Sequence, residues 1–188
     1  MLSATATFIN CTGGVNGDNP TEITRNDIQG IIQTLMTSNA KKISSVIEAQ
    51  DKFGTGPVRE AYFAMAHTDI FTRLENVQGY IPSAQYPSQM NILSAEIGSV
   101  SNLRFLLSSI GSITQNASAL GADVYNCFIT GMEAYGCIEL DGASAQFIYR
   151  PLGYGDDPLL LRQSAGFKFA SAERVLNDAW VLNLRMTI

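Results

Sequence analysis

Charge is scarce in this chain, and so are histidine, cysteine and basic clusters. Asp, Glu, Lys and Arg make up 15% of 188 residues, against about 25% in ordinary soluble domains, so something besides charge covers the surface. Ser, Thr, Asn and Gln supply part of that cover, and a charge-poor exterior suits a protein packed against neighbours. The net charge is −5 and Lys41-Lys42 is the one basic pair; a phosphate-tracking nucleic-acid binder needs clustered cations to displace counterions. No stretch reaches the roughly 18 apolar residues of a membrane helix, and the amino terminus lacks the basic segment and apolar run of a signal peptide. The expectation is no membrane association and folding in a cytoplasm. Cys11, Cys127 and Cys137 form no C-x-x-C pair, so neither a disulfide framework nor a zinc site is indicated, and buried free thiols are expected.

With His67 as the one histidine, nucleophilic catalysis has a single candidate base. Thr68 and Asp69 stand beside it, but no Gly-x-Ser-x-Gly elbow or activated cysteine points back to it, and the residue reads as a structural, hydrogen-bonded imidazole. The alternative is a small hydrolase or ligand-binding module built on His67 and nearby carboxylates. Gly13-Gly14-x-x-Gly17 continues as Asp18-Asn19-Pro20 rather than as the Lys and Ser or Thr of a phosphate loop, and reads as a flexible linker. Asp18, Glu139, Asp141 and Asp156-Asp157 match no calcium-loop spacing. Asn10-Cys11-Thr12 and Asn116-Ala117-Ser118 fit the glycosylation pattern, which lacks meaning without a secretory signal. The sequence therefore points to no catalytic residue, no cofactor and no metal.

Periodicity divides the rest. Residues 1–22 read as flexible. Thr24, with Asp27 three residues on, forms a capping-box-like start, and Ile28, Ile31, Ile32 and Leu35 follow on one helical face, which predicts a helix over about 24–39. Ile43–Glu48 reads as a strand before the Gly54-Thr55-Gly56-Pro57 break, and the apolar run Ala61–Ala66 as a buried strand followed by a short helix from Thr68 or Asp69 through Leu74. Residues 79–93, with Pro82 and Pro87, read as a long loop. Leu103, Phe105 and Leu107 alternate with Asn102, Arg104 and Leu106 as in a partly covered strand. Tyr125–Leu140 reads as helix then strand, or as a bent strand pair. Gln146–Tyr149 is a strand, 153–158 a turn, and the alternation of Phe167 and Phe169, then Trp180, Leu182, Leu184 and Met186 predicts two closing strands, with a helix as the alternative over 172–176.

Several short segments occur in a definite order: Thr24-Arg25-Asn26-Asp27-Ile28, Gly54-Thr55-Gly56-Pro57-Val58, Ala66-His67-Thr68-Asp69, Glu96-Ile97-Gly98 through Arg104-Phe105, Gly131-x-x-Ala134-Tyr135-Gly136, Asp157-Pro158-Leu159 and Gly166-Phe167-Lys168. Over about residues 21–185 this set resembles the carboxy-terminal part of the major capsid proteins of tailed bacteriophages, of the podovirus type with the Hong Kong 97-like fold. That resemblance implies an α+β fold with mixed or antiparallel sheets and one long helix, divided between a peripheral and an axial lobe. Residues 23–42 would carry the peripheral lobe's long helix, 43–150 mainly the axial lobe and 151–188 the closing strands of the peripheral lobe, all in one interleaved folded unit. Members usually carry an amino-terminal arm and an extended loop ahead of the long helix; here Met1 stands about twenty residues before it.

The same resemblance implies a structural subunit that self-associates into hexamers and pentamers around double-stranded DNA, without sequence-specific contact and without an active site. Its partners would be other copies of the chain and scaffold, portal or decoration proteins; its location would be the virion capsid, assembled in a bacterial cytoplasm. Glu96 and Arg104 flank an apolar strand where unpaired charge is disfavoured, and are expected to pair within or between subunits.

Overall fold

The computed structural model of this chain describes residues 6–13, 19–43, 59–86, 92–93, 95–139, 145–153, 159 and 161–188. Helix α1 runs Arg25–Thr37 and begins where local chemistry places it. The Asp27 amide donates to the Thr24 hydroxyl at 3.5 Å, and the Thr24 amide to the Asp27 carboxylate at 3.1 Å, a reciprocal capping box that satisfies two otherwise orphaned donors. Ile28, Ile31, Ile32 and Leu35 are buried, each contributing about 1.5–3 kcal/mol through apolar burial.

Asn39, at φ 54°, ends the helix in the left-handed region. The Ala40 amide then reaches back to the Leu35 carbonyl and the Asn39 amide to that of Met36, the Schellman arrangement. These bonds stop α1 at thirteen residues, about 20 Å at 1.5 Å per residue. The second helix, α2, spans the five residues Phe71–Glu75. The single long helix implied by the resemblance is thus replaced, among the described residues, by two short ones in a mostly sheet protein.

Eight strands form one mixed sheet in which β1 (Thr7–Asn10), β12 (Val181–Met186), β7 (Val124–Thr130), β2 (Tyr62–His67), β5 (Leu103–Ser108), β4 (Glu96–Val100) and β3 (Tyr80–Pro82) are neighbours in that order, with β6 (Ile113–Thr114) pairing beside β7. Strands β1 and β12, and β2 and β5, run parallel; the other pairs are antiparallel. Central strand β2 is apolar without alternation because both of its faces are covered. Tyr62, Ala64 and Ala66 share a core with Leu103, Phe105, Leu107, Cys127, Ile129, Leu182, Leu184 and the buried side of α1. The Tyr62 hydroxyl and the Trp180 indole N–H fasten the end of α1 to the sheet, donating to the Ala40 and Ser38 carbonyls at 2.9 and 3.0 Å.

Three expectations change. The segment read as flexible contains β1, which pairs in parallel with β12 from Thr7 opposite Leu182 to Asn10 opposite Arg185; Phe8 and Ile9 suit a strand, but their partner lies at the other end of the chain. The loop over 79–93 contains β3 and a 3-10 turn at Ser83–Gln85, because Pro82 lies at the end of an edge strand, where a missing donor is tolerated. Of the two readings of the stretch from Tyr125, the structure has strands rather than a helix, β7 and β8 (Tyr135–Glu139), each pairing with other strands. Three strands close the chain rather than two: β10 (Ser164–Lys168), β11 (Ser171–Val175), where the helical alternative fell, and β12. Residues 44–48, the 54–58 break and the 154–158 part of the turn lie outside the described residues.

The chain divides into two compact units, residues 1–134 with 175–188, and residues 135–174. The second holds β9 (Gln146–Arg150) paired antiparallel with β10, and β8 paired with β11. The boundary at 150 drawn from sequence falls at the end of β9.

Candidate assembly surface

Glu96 and Arg104 meet through a register fault. In the β4–β5 hairpin Val100 faces Leu103, Ser99 faces Arg104 and Gly98 faces Phe105, but the next pair is Glu96 with Leu106, so Ile97 is bulged. Successive residues of a strand point to opposite faces; the extra residue moves Glu96 onto the face of Ser99 and Arg104 instead of the Phe105 side. Its carboxylate is then diagonal to Arg104, a span that long side chains cross. Arg104 Nε donates to Glu96 Oε1 at 2.7 Å and Nη2 to Oε2. The Tyr86 hydroxyl donates to Oε1 at 2.9 Å and the Leu93 amide to Oε2 at 3.1 Å, while the guanidinium lies 5.7 Å from the Phe63 ring centre.

Arg104 is 2% and Glu96 7% exposed. This is a buried, bidentate pair within one chain, and the added donors to the carboxylate offset the desolvation that such burial incurs. Burial pushes the Tyr86 phenol up to about 12; the Ser99 hydrogen bond opposes it, and the hydrogen bond to Glu96 and the Glu96 charge add to it. Gly98 is fixed from the other side, because a Cβ there would lie 2.6 Å from the Ile81 carbonyl oxygen and from the Tyr80 ring. Tyr80 in turn donates to the Ile97 carbonyl at 3.0 Å, holding the bulged residue.

His67 is engaged by backbone on both sides. Nδ1 accepts the Asp69 amide at 3.2 Å, capping the 3-10 turn Thr68–Ile70, which leaves Nε2 to donate to the Ser109 carbonyl at 3.1 Å. The Tyr125 hydroxyl donates to Asp69 at 3.3 Å. Nothing in this arrangement presents a nucleophile to the imidazole; it is a cap at the end of β2. Among the described residues no group of three His, Cys, Asp or Glu side chains is placed to hold a metal ion. Asp18, Asp141 and Asp156-Asp157 lie outside them, and Glu139 ends β8.

The thiols differ from expectation in one respect. Cys11 and Cys127 are buried, and desolvation raises both, Cys127 to about 12; Cys137, on β8, is exposed. Thiolate is the reactive form, so a thiol reagent added to native protein at neutral pH is expected to label Cys137 rapidly and the other two only on unfolding, a result read by intact mass before and after denaturant. Rapid labelling of all three would contradict this core.

The β9–β10 hairpin has the reverse character. Every residue of both strands is exposed, although the segment is rich in aromatics. Phe147 pairs with Phe167 and Tyr149 with Ala165, so these side chains share one face; the two Phe rings lie 5.1 Å apart, and Phe167 is 81% exposed. Ile148, Arg150 and Lys168 take the other face by alternation. A two-stranded ribbon is marginal alone in water, and contiguous exposed apolar surface marks sites of association. The alternation at Phe167 and Phe169 marks an apolar strand face in the sequence, but periodicity reports that a face is apolar, not what covers it.

Among the described residues the structure thus holds a buried ion pair engaged within the chain and an exposed aromatic ribbon. No family model matches the chain, and no curated protein does. Solved structures do: a chain in the head structure of Helicobacter pylori bacteriophage KHP40 aligns with a TM-score of 0.53 at 13% identity. The fold is one found in a bacteriophage head. The alignment covers 99% of this chain and 62% of that one, so this chain spans less than two thirds of the protein it resembles.

Proposed function

We propose that this chain is a structural subunit of a tailed-bacteriophage head, packed against copies of itself in hexameric and pentameric rings of an icosahedral shell around double-stranded DNA. The observation that carries the reading is the fold likeness to a phage-head chain over 99% of the length. Two features support it. The chain is poor in charged residues, at 15%, and its net charge is −5, which suits a container wall that does not grip the polyanion inside. The β9–β10 ribbon offers aromatic surface that is exposed along both strands.

In this reading the chain belongs with the podovirus-type capsid proteins of Hong Kong 97-like fold, with α1 in the peripheral lobe, residues 43–150 mainly in the axial lobe and the closing strands back in the peripheral lobe. Scaffold, portal and decoration proteins are its further partners, and assembly takes place in the bacterial cytoplasm before the virion is complete. The Glu96–Arg104 pair then serves each subunit internally, holding β4 against β5 so that neighbours meet a rigid sheet. The test is to express the polypeptide and examine the product by sedimentation velocity and negative-stain electron microscopy. Rings or shells are expected; a monodisperse monomer at every concentration would contradict the proposal.

A further inference from the structure

We infer that the aromatic face of the β9–β10 ribbon docks on the same face of a second copy, about a two-fold axis, and that this contact joins one ring of subunits to the next. It rests on the shell reading, to which it adds a contact surface and the symmetry of that contact.

Register makes this face fit itself. Phe147 lies opposite Phe167, and Tyr149 opposite Ala165, so a row of two Phe rings 5.1 Å apart adjoins a row in which a methyl group is one of the two side chains. The Tyr149 hydroxyl donates to Gln163 at 3.2 Å, which ties that ring to the side of Ala165 away from Phe167. Ala165 is itself exposed, so a hollow lies beside the Phe row. Packed sheet faces interlock by setting large side chains against small ones. A second ribbon rotated by half a turn places its Phe row over this Ala165 and receives this Phe row over its own.

Charge does not oppose the meeting of like with like. Phe147, Tyr149, Ala165 and Phe167 are uncharged, while Arg150 and Lys168 take the reverse face by alternation. A face without charge gives a polyanion nothing to grip; what it offers is area. Phe147, Tyr149 and Phe167 are 61%, 56% and 81% exposed, which leaves about 400 Å² uncovered at roughly 200 Å² per aromatic side chain. Phe169, 73% exposed and two residues past Phe167, continues the row and adds about 150 Å². Two copies together then bury about 1,100 Å², just above the roughly 1,000 Å² that a specific interface needs. A free dimer held by so small a contact is weak, but a shell repeats the contact many times and gains from the repetition.

Symmetry then fixes where the contact lies. Neighbours within a ring of six or five meet through two different patches, whereas a face that binds itself requires a two-fold axis. The ribbon therefore links a subunit of one ring to a subunit of the next. Closure of rings into a shell depends on it, and formation of the rings does not.

The experiment uses particles of the polypeptide carrying C137S, which removes the exposed thiol and leaves the two buried ones. In that background A165C places a thiol on the aromatic face and S164C places one on the reverse face. A short bis-maleimide, matched to the roughly 10 Å between packed sheets, is added to the intact particles. Covalent dimers are expected from A165C and not from S164C. Separately, F147S/F167S, with folding checked by thermal melts, is expected to form rings at the wild-type concentration but to need about tenfold or more protein for closed shells, as loss of central anchors does. Absence of A165C dimers, equal cross-linking of S164C, or unimpaired F147S/F167S shells would overturn the two-fold contact and leave the shell reading standing. Loss of rings as well as shells in F147S/F167S would place the contact within a ring and overturn its two-fold assignment. Failure of the wild type to assemble at all would overturn the shell reading and this inference with it.

Discussion

Replacing Arg104 by Met is expected to lower stability by about 3–5 kcal/mol, the loss typical of stripping one partner from a buried ion pair. That is a large part of the roughly 5–15 kcal/mol that holds an ordinary domain together. The reason is the carboxylate left behind. Glu96 is 7% exposed, and after the substitution its oxygens keep the Tyr86 hydroxyl and the Leu93 amide as donors but lose both guanidinium bonds. Urea unfolding of R104M should show a lower midpoint with an unchanged slope. The double variant E96L/R104M should recover much of the loss, since removing both charges removes the stranded one. If R104M unfolds at the wild-type midpoint, the pair does not hold the sheet.

The second large effect is expected at Gly98. Its close neighbours are a backbone oxygen, Ile81 O, and the Tyr80 ring, both 2.6 Å from where a Cβ would stand, so G98A cannot be absorbed by turning one flexible side chain. Strand β3 must shift away from β4, which stretches the Tyr80 bond to the Ile97 carbonyl and loosens the bulge that aims Glu96 at Arg104. Overpacking of this kind costs about 1–3 kcal/mol. Because the bulge and the ion pair share a strand, G98A and R104M should be less than additive, whereas distant substitutions add. Strict additivity in a double-mutant cycle would show that the bulge does not position the carboxylate.

What the sequence made legible follows from how local each determinant is. The start of α1 could be read because Thr24 and Asp27 are three residues apart and supply both halves of the cap. Strands β2 and β5 could be read because an apolar run and an alternating run are properties of a few consecutive residues. The stop of α1 at Thr37 falls two residues short of the end read from periodicity, because Asn39 in the left-handed region carries a weaker signal than glycine would have. Strand β1 was invisible, since its partner β12 closes the chain. For the candidate site, two charges flanking an apolar strand suggested Glu96 and Arg104, but the bulge at Ile97 and the contribution of Tyr86 depend on register and on a separate segment. The aromatic ribbon illustrates a different obstacle. Phe147 and Phe167 look like core residues in sequence, and only their burial tells otherwise.

Cryo-electron microscopy of the particles that the polypeptide forms is the most direct test of a shell subunit. Closed shells are expected, with repeating density that contains the α1 helix of residues 25–37 and the mixed sheet built on β2, β5 and β7 once per subunit, arranged in rings of six and five. Particles whose walls lack that repeating fold, or a preparation that remains monomeric at every protein concentration, would contradict it.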